Sequence, residues 1–357
     1  MPVTEIGSGA AHVEVVLFSL PLKMQSMPIP YISALRVLAT ILVILIHAST
    51  GYLNHFDAKA FNWNYANTLN SFSRFSIPIF VMISGALLLG KKENTLDFYK
   101  KRLAKICIPF AIWTLIYLIY YFYRYTPFIV LPFPQVVETS IQKILHGASA
   151  HLWFLYMIVG LYLAIPFLRM IVHQASQNEM VLLLALWAAS LLIMNNEFNS
   201  YLPAVDLTVF SGYIGYLFLG YFLAKKDFNV SWWLLLVLAV AVGVLNTWGT
   251  FLLSSRAETY TPTYYNYLGV NNALLSAVVF LFFKSVVKKP LPHWIHQIDT
   301  HSFGIYLVHI IVLNFVHPLI TLPVVWKIPA ATICTLFLCL IFCMIVRKTP
   351  GGRYLVG

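Results

Sequence analysis

The amino-acid sequence predicts an all-α polytopic integral membrane protein of about ten transmembrane helices, N-in and C-in. Three observations lead there. Sixty per cent of the 357 residues are apolar and 10% are charged, whereas an ordinary soluble domain carries about 25% charged residues. The mean hydropathy is +0.79. Apolar runs close to the ~20 residues that a bilayer core requires recur along the chain. The length would suit two soluble globules, but the polar residues to coat them are missing. A formal net charge of +11 on so apolar a chain points to loops against an anionic membrane surface, with no nucleic-acid partner.

Residues 1–30 differ from the rest. Their apolar stretch, 13–22, is too short to span, and Glu5 without Lys or Arg ahead of it makes a poor signal peptide. Met24 and Met27 stand just before the first strong run. The segment is read as a cytosolic tail and an over-long start, and 31–357 as the membrane unit. Apolar runs then follow at 31–50, 73–90, 104–125, 152–171, 179–195, 209–224, 231–253, 271–287, 301–320 and 324–346. The sixth is short and Gly-rich. No internal repeat is evident, and no loop is long enough for a soluble domain.

Basic residues test this count. With a cytosolic N-terminus and alternating spans, only Lys59, Arg74, Arg124, Lys143, Arg256 and Lys327 of the 23 Lys and Arg fall outside. The other seventeen lie on the cytosolic side, as the positive-inside rule expects. Cys107, Cys334, Cys339 and Cys343 all sit in apolar runs without metal-ligand spacing and read as small buried hydrophobes.

Ionisable groups at membrane depth are costly, and so they are the informative ones. Arg36 and His47 lie eleven residues apart in the first run. At about 100° per residue they share a helix face, roughly 16 Å apart along the axis. Arg36 is placed near the cytosolic end and His47 near the outer end. The pair serves a site, or else Arg36 snorkels to headgroups and His47 bonds a neighbouring carbonyl. All twelve acids are assigned to the tail, to loops or to helix ends, none deep in a span.

Further motifs follow in order. Ser73-Arg74 precedes Pro78 and Ser84-Gly85; Lys101-Arg102 lies in a basic connection before Pro109; His151-Leu-Trp153-Phe154 opens the fourth run. His301-Ser302-Phe-Gly-Ile-Tyr306-Leu-Val-His309 occupies the ninth. Together with the Arg36–His47 spacing, these resemble acyltransferase family three, the integral-membrane O-acyltransferases, from about residue 31 to the C-terminus.

The resemblance implies transfer of an acyl group, here acetyl from cytosolic acetyl-CoA, to a hydroxyl of a cell-surface glycan or its lipid-linked precursor. It implies a multi-pass protein of the bacterial cytoplasmic (inner) membrane, with acetyl-CoA as donor substrate and no metal. On this reading Arg36, Lys101 and Arg102 bind the donor phosphates, with Lys100 and Lys105 in the same cluster. His47 is the general base, since a neutral imidazole suits proton removal near neutral pH. Its orienting partner is a hydroxyl, an amide, a carbonyl, or one of Glu197, Asp206 and Glu258. Arg74, expected at the outer end of the second run, stabilises an oxyanion, grips an anionic acceptor, or is simply interfacial. His151 and Trp153 form an acceptor wall or an interfacial belt. Ser302, Tyr306 and His309 share a face and either glue helices or line the acyl path. Tyr260, Tyr264, Tyr265 and Tyr267 make a carbohydrate platform or an interfacial belt. The rival reading is a flippase or exporter of lipid-linked sugars, and a third is an inactive member serving as an assembly partner.

Overall fold

The computed structural model describes residues 29–125, 131–193 and 207–357. The sequence-predicted tail therefore lies almost wholly outside the described residues. In chain order the helices are α1 (Pro30–Thr50), α2 (Phe61–Ser73), α3 (Ser76–Leu88), α4 (Thr95–Arg124), α5 (Phe133–His146), α6 (Trp153–Gln174) and α7 (Gln177–Ile193). They continue as α8 (Ile214–Lys225), α9 (Trp232–Ala257), α10 (Val270–Val286), α11 (His293–Leu319), α12 (Val324–Val346) and α13 (Arg353–Val356). No strand occurs among the described residues. Among the described residues, eight segments are long and apolar enough to cross a membrane, and the shorter apolar α7 and α8 occupy the fifth and sixth expected runs. The protein is an all-α, multi-pass membrane protein.

The central helix is α1. It opens with Pro30 in its first turn, where a missing N–H is harmless, and packs against α2, α3, α10, α11 and α12. The second run extends further than the sequence suggested, because α2 and α3 form one broken span. Pro78 causes the break: a proline ring clashes with the carbonyl four residues back, here that of Arg74. Arg74 and Phe75 fill the gap between the helices. Arg74 is thus held within a span rather than at its outer end.

Gly85 and Gly220 bring α3 and α8 into backbone contact. A Cβ at Gly85 would lie 2.0 Å from the Leu217 carbonyl oxygen, and one at Gly220 the same distance from that of Met82. The interior is rich in small polar residues, among them Ser33, Thr40, Asn67, Asn70, Asn246 and Asn272, while Ile119, Phe167 and Ile341 face outward. Lipid supplies no hydrophobic drive between helices, so such hydrogen-bonding residues tie the bundle together. Asn246 Nδ2 donates to Asn272 Oδ1 at 3.0 Å, and Asn67 Nδ2 donates to the Thr247 carbonyl at 3.0 Å.

Two features depart from expectation. None of the expected runs covers α5, whose Phe133, Val137, Ile141 and Leu145 form an exposed apolar stripe at four-residue spacing. Such a stripe suits a helix lying in the membrane interface. Cys339 and Cys343 are buried as expected, but Cys334 is exposed, because it lies on the outward face of α12.

Candidate functional site

Three histidines from distant parts of the chain meet inside the bundle. α1 carries His47, α11 carries His309, and the turn before α6 carries His151. Ring centroids lie 5.2 Å apart for His47–His309, 5.0 Å for His151–His309 and 6.3 Å for His47–His151. His309 is fully buried, and its Nδ1–H donates to the Tyr306 carbonyl at 2.6 Å. That bond fixes the tautomer and leaves Nε2 as an acceptor, with no protein partner among the described residues. His151 Nδ1 pairs with Ser149 Oγ at 3.1 Å, and its Nε2 is likewise unpartnered among them. The Tyr306 hydroxyl donates to the His151 carbonyl, tying α11 to the start of α6.

A cavity of about 270 Å³ opens beside this cluster, bordered by His47, Thr50, Arg74, His151, Trp153 and Tyr267. The break between α2 and α3 places Arg74 there. Its guanidinium donates to Asn70 Oδ1 and, at 3.4 Å, to the Tyr267 hydroxyl, and it lies 4.1 Å over the Tyr265 ring. Tyr265 is buried and bonded to Asn67, so the ring beneath Arg74 is fixed. Trp153 stacks on Tyr267 with centroids 5.8 Å apart.

A second cavity, about 420 Å³, lies toward the other end of α1. Arg36, Arg102, Lys105 and Arg347 bring four cations to its wall, with Ser84, Tyr162 and Ser302 among the polar groups. The basic connection of the sequence reading is in fact helical: Asn94 caps α4 by accepting from the Leu96 and Asp97 amides, so Lys100–Lys105 lie on its first turns. Arg102 faces the cavity. Lys101 does not line it and instead pairs with Glu93 at 3.2 Å. Burial pushes the Glu93 carboxyl up, but Lys101, Arg102 and Arg169 outweigh it and hold the group below its ordinary value.

The expectation that no acid lies deep in a span fails at Asp299. Helix α11 begins at His293, earlier than expected, so Asp299 sits well inside it, 6% exposed. Asp299 accepts from Arg36 and, at 2.7 Å, from Ser33 Oγ. A signal for it was present: Asp299, Ser302, Tyr306 and His309 follow the i, i+3, i+7, i+10 pattern of one helix face. Extending the polar stripe one turn back would have found it. Of the suggested partners for His47, Glu258 is exposed at the C-terminal end of α9, and Glu197 and Asp206 lie outside the described residues.

The ten candidate residues therefore divide between two places. His47, Arg74, His151, Trp153 and Tyr306 border the smaller cavity, with His309 packed against its histidines. Arg36, Arg102, Ser302 and again Tyr306 border the larger one, and Lys101 stands outside both.

Comparison with known proteins adds two findings. A family model described as an acyltransferase domain matches residues 29–347. A protein of Staphylococcus aureus (strain MRSA252), described as a probable poly-beta-1,6-N-acetyl-D-glucosamine export protein, is 23% identical over 300 residues. That alignment covers 78% of this chain and 81% of the relative. No solved structure matches.

Proposed function

Because the chain belongs to acyltransferase family three, we propose that it moves an acetyl group from acetyl-CoA to a hydroxyl of a cell-surface glycan or its lipid-linked precursor. The observation that carries this reading is the pair of cavities along α1, one walled by cations and the other bordered by histidines. The motifs around Arg74, His151 and His301 are similar to those of the enterobacterial common antigen O-acetyltransferase, which favours a glycan acceptor.

Arg36 and Arg102, with Lys105 and Arg347, grip the donor phosphates, and Lys101 adds to the positive field nearby. The pantetheine arm runs along α1 over the roughly 16 Å that eleven residues rise. His47 takes the proton of the acceptor hydroxyl, whose oxygen attacks the thioester carbon. Arg74 stabilises the oxyanion that forms. The C–S bond then breaks, a C–O bond has formed, and the proton passes from His47 to the departing CoA thiolate. His309 is the neighbour that orients His47, while His151 and Trp153 wall the acceptor. Ser302 and Tyr306 line the acyl path, and His309 packs behind it against His47 and His151. The basic end faces the cytosol in an N-in, C-in topology in a bacterial cytoplasmic (inner) membrane, with residues 1–30 as a tail on the 31–357 membrane unit.

The export description of the Staphylococcus relative favours a second reading, a flippase or exporter of lipid-linked sugars. Acetyl-CoA consumption by purified protein in detergent separates the two. Acetyl transfer or hydrolysis that is lost in His47→Ala and Arg36→Ala, with CoA binding weakened only in Arg36→Ala, is the expected outcome. No consumption by wild type would put the exporter first.

A further inference from the structure

The two cavities meet at one pair of rings. Phe154 and Tyr306 are the residues that border both the cation-walled and the histidine-bordered space. Their ring centroids are 5.4 Å apart at an interplanar angle of 61°, an edge-to-face contact. At that separation aromatic rings are in close contact, leaving no room for an alkyl chain between them. Both side chains are buried, at 8% and 6% exposure.

The two halves of this partition are not equally mobile. Tyr306 is anchored, because its hydroxyl donates to the His151 carbonyl and its own carbonyl accepts from His309. Phe154 has an all-carbon side chain with no such anchor, and its ring packs on those of Phe80, Trp153 and Tyr306. It is therefore the ring that can swing aside. Helix α3 contributes Ile77 to the smaller cavity and Ile83 to the larger one, so a branched apolar side chain borders each space.

We infer that Phe154, closing against the latched Tyr306, sets the length of the acyl group that this protein transfers. The inference rests on the acyltransferase reading above. A donor entering past Arg36 brings its thioester to the partition from the larger cavity, while the base and Arg74 lie beyond it. The acyl group must cross and lodge in the cavity of about 270 Å³, which it shares with the acceptor hydroxyl. An acetyl group crosses with a small displacement of Phe154. A longer chain must hold the ring open along its length and fill space the acceptor needs. Discrimination of about 10- to 200-fold per methylene is what an apolar pocket achieves.

The test compares acetyl-, butyryl- and hexanoyl-CoA, each as the sole donor to purified full-length protein, with released CoA measured by mass spectrometry. Wild type should prefer acetyl-CoA by roughly 100-fold or more over hexanoyl-CoA in kcat/KM. Phe154→Ala should raise the hexanoyl-to-acetyl ratio at least about tenfold while still consuming acetyl-CoA, with Phe154→Leu intermediate. Tyr306→Phe, which removes the latch and keeps the ring, should shift the ratio in the same direction by less. Unchanged ratios in Phe154→Ala and Phe154→Leu, with acetyl-CoA turnover intact, would overturn the partition and leave the acyltransferase reading standing. A wild type that consumes none of the three donors would overturn both.

Discussion

Asp299→Ala is the most informative single change, because Asp299 ties Ser33 and Arg36 of α1 to α11 at the cation-walled cavity. A hydrogen bond to a charged group contributes about 1.5–3 kcal/mol. The Arg36 side chain is 26% exposed, and solvent screening lowers its share toward about 1–2 kcal/mol. The Ser33 hydroxyl, at 4% exposure, would lose its partner in a buried site, which costs about 1–3 kcal/mol. The loss should come to about 3 kcal/mol, read by reversible denaturation in mixed detergent micelles. Asp299→Asn keeps one acceptor oxygen for Arg36 and turns its NH2 toward the Ser33 hydroxyl, which can accept instead of donate, so it should lose about half as much. A cycle with Arg36→Ala isolates the pair, and a coupling of about 1–2 kcal/mol is expected. Freed from Asp299, the guanidinium must be ordered by the donor itself, at about 0.5–1.5 kcal/mol for one side chain, or roughly 2- to 12-fold in KM for acetyl-CoA. Two results would refute the reasoning: additivity within about 0.5 kcal/mol, or a KM that falls on removing the acid.

Two further outcomes follow from the packing and the charges. Gly85→Ala would place a methyl 2.0 Å from a backbone carbonyl that cannot move aside. It should therefore cost more than the ~1–3 kcal/mol of ordinary overpacking, seen as loss of monodisperse protein, whereas Gly160→Ala, which meets nothing within 4 Å, should be tolerated. Glu93 is held below its ordinary pKa of 4.5 by Lys101, Arg102 and Arg169 against the opposing effect of burial. A depressed carboxylate stabilises the fold fully above its ordinary value and loses that contribution as pH falls through the folded one. Thermal unfolding of wild type and Glu93→Gln should accordingly differ fully above the ordinary value of 4.5 and converge as the pH falls below it, and a gap that widens in acid would contradict the pairing.

The sequence made the spans legible wherever composition alone decides them. α12 and α6 fall within a few residues of the expected runs, because their apolar stretches coincide with the helices themselves. α2 was not anticipated because Asn64, Asn67, Asn70 and Ser71 make it read as a loop. Two of those side chains find partners across the folded bundle, Asn67 on the Thr247 carbonyl and Asn70 Nδ2 on Ser49 Oγ at 2.6 Å. α5 escaped for a related reason, since its apolar stripe is too narrow to register as a run. The candidate residues were visible as motifs, but their division between two cavities was not. Lys101 and Arg102 are neighbours in sequence and part ways by one helical step, which only the start of α4 at its Asn94 cap determines. Asp299 falls just before the expected run at 301–320 because the polar His293–Thr300 segment hides the first turns of α11.

That hidden start matters because α1 and α11 run parallel and meet at two heights. Arg36 pairs with Asp299 at one level, and His47 packs on His309 at the other. The intervals are eleven residues on α1 and ten on α11, roughly 16 and 15 Å of rise, so the rungs coincide only in this register. A one-residue slip would turn each side chain by about 100° and break both contacts together. The ion pair therefore does more than neutralise a buried acid: it sets the height at which His309 meets His47. The proposed donor grip and the proposed base share one helix–helix interface. Damage at Asp299 should consequently reach the histidine end as a change in kcat as well as KM, whereas a change confined to the cation-walled cavity, such as Arg102→Ala, should alter KM alone.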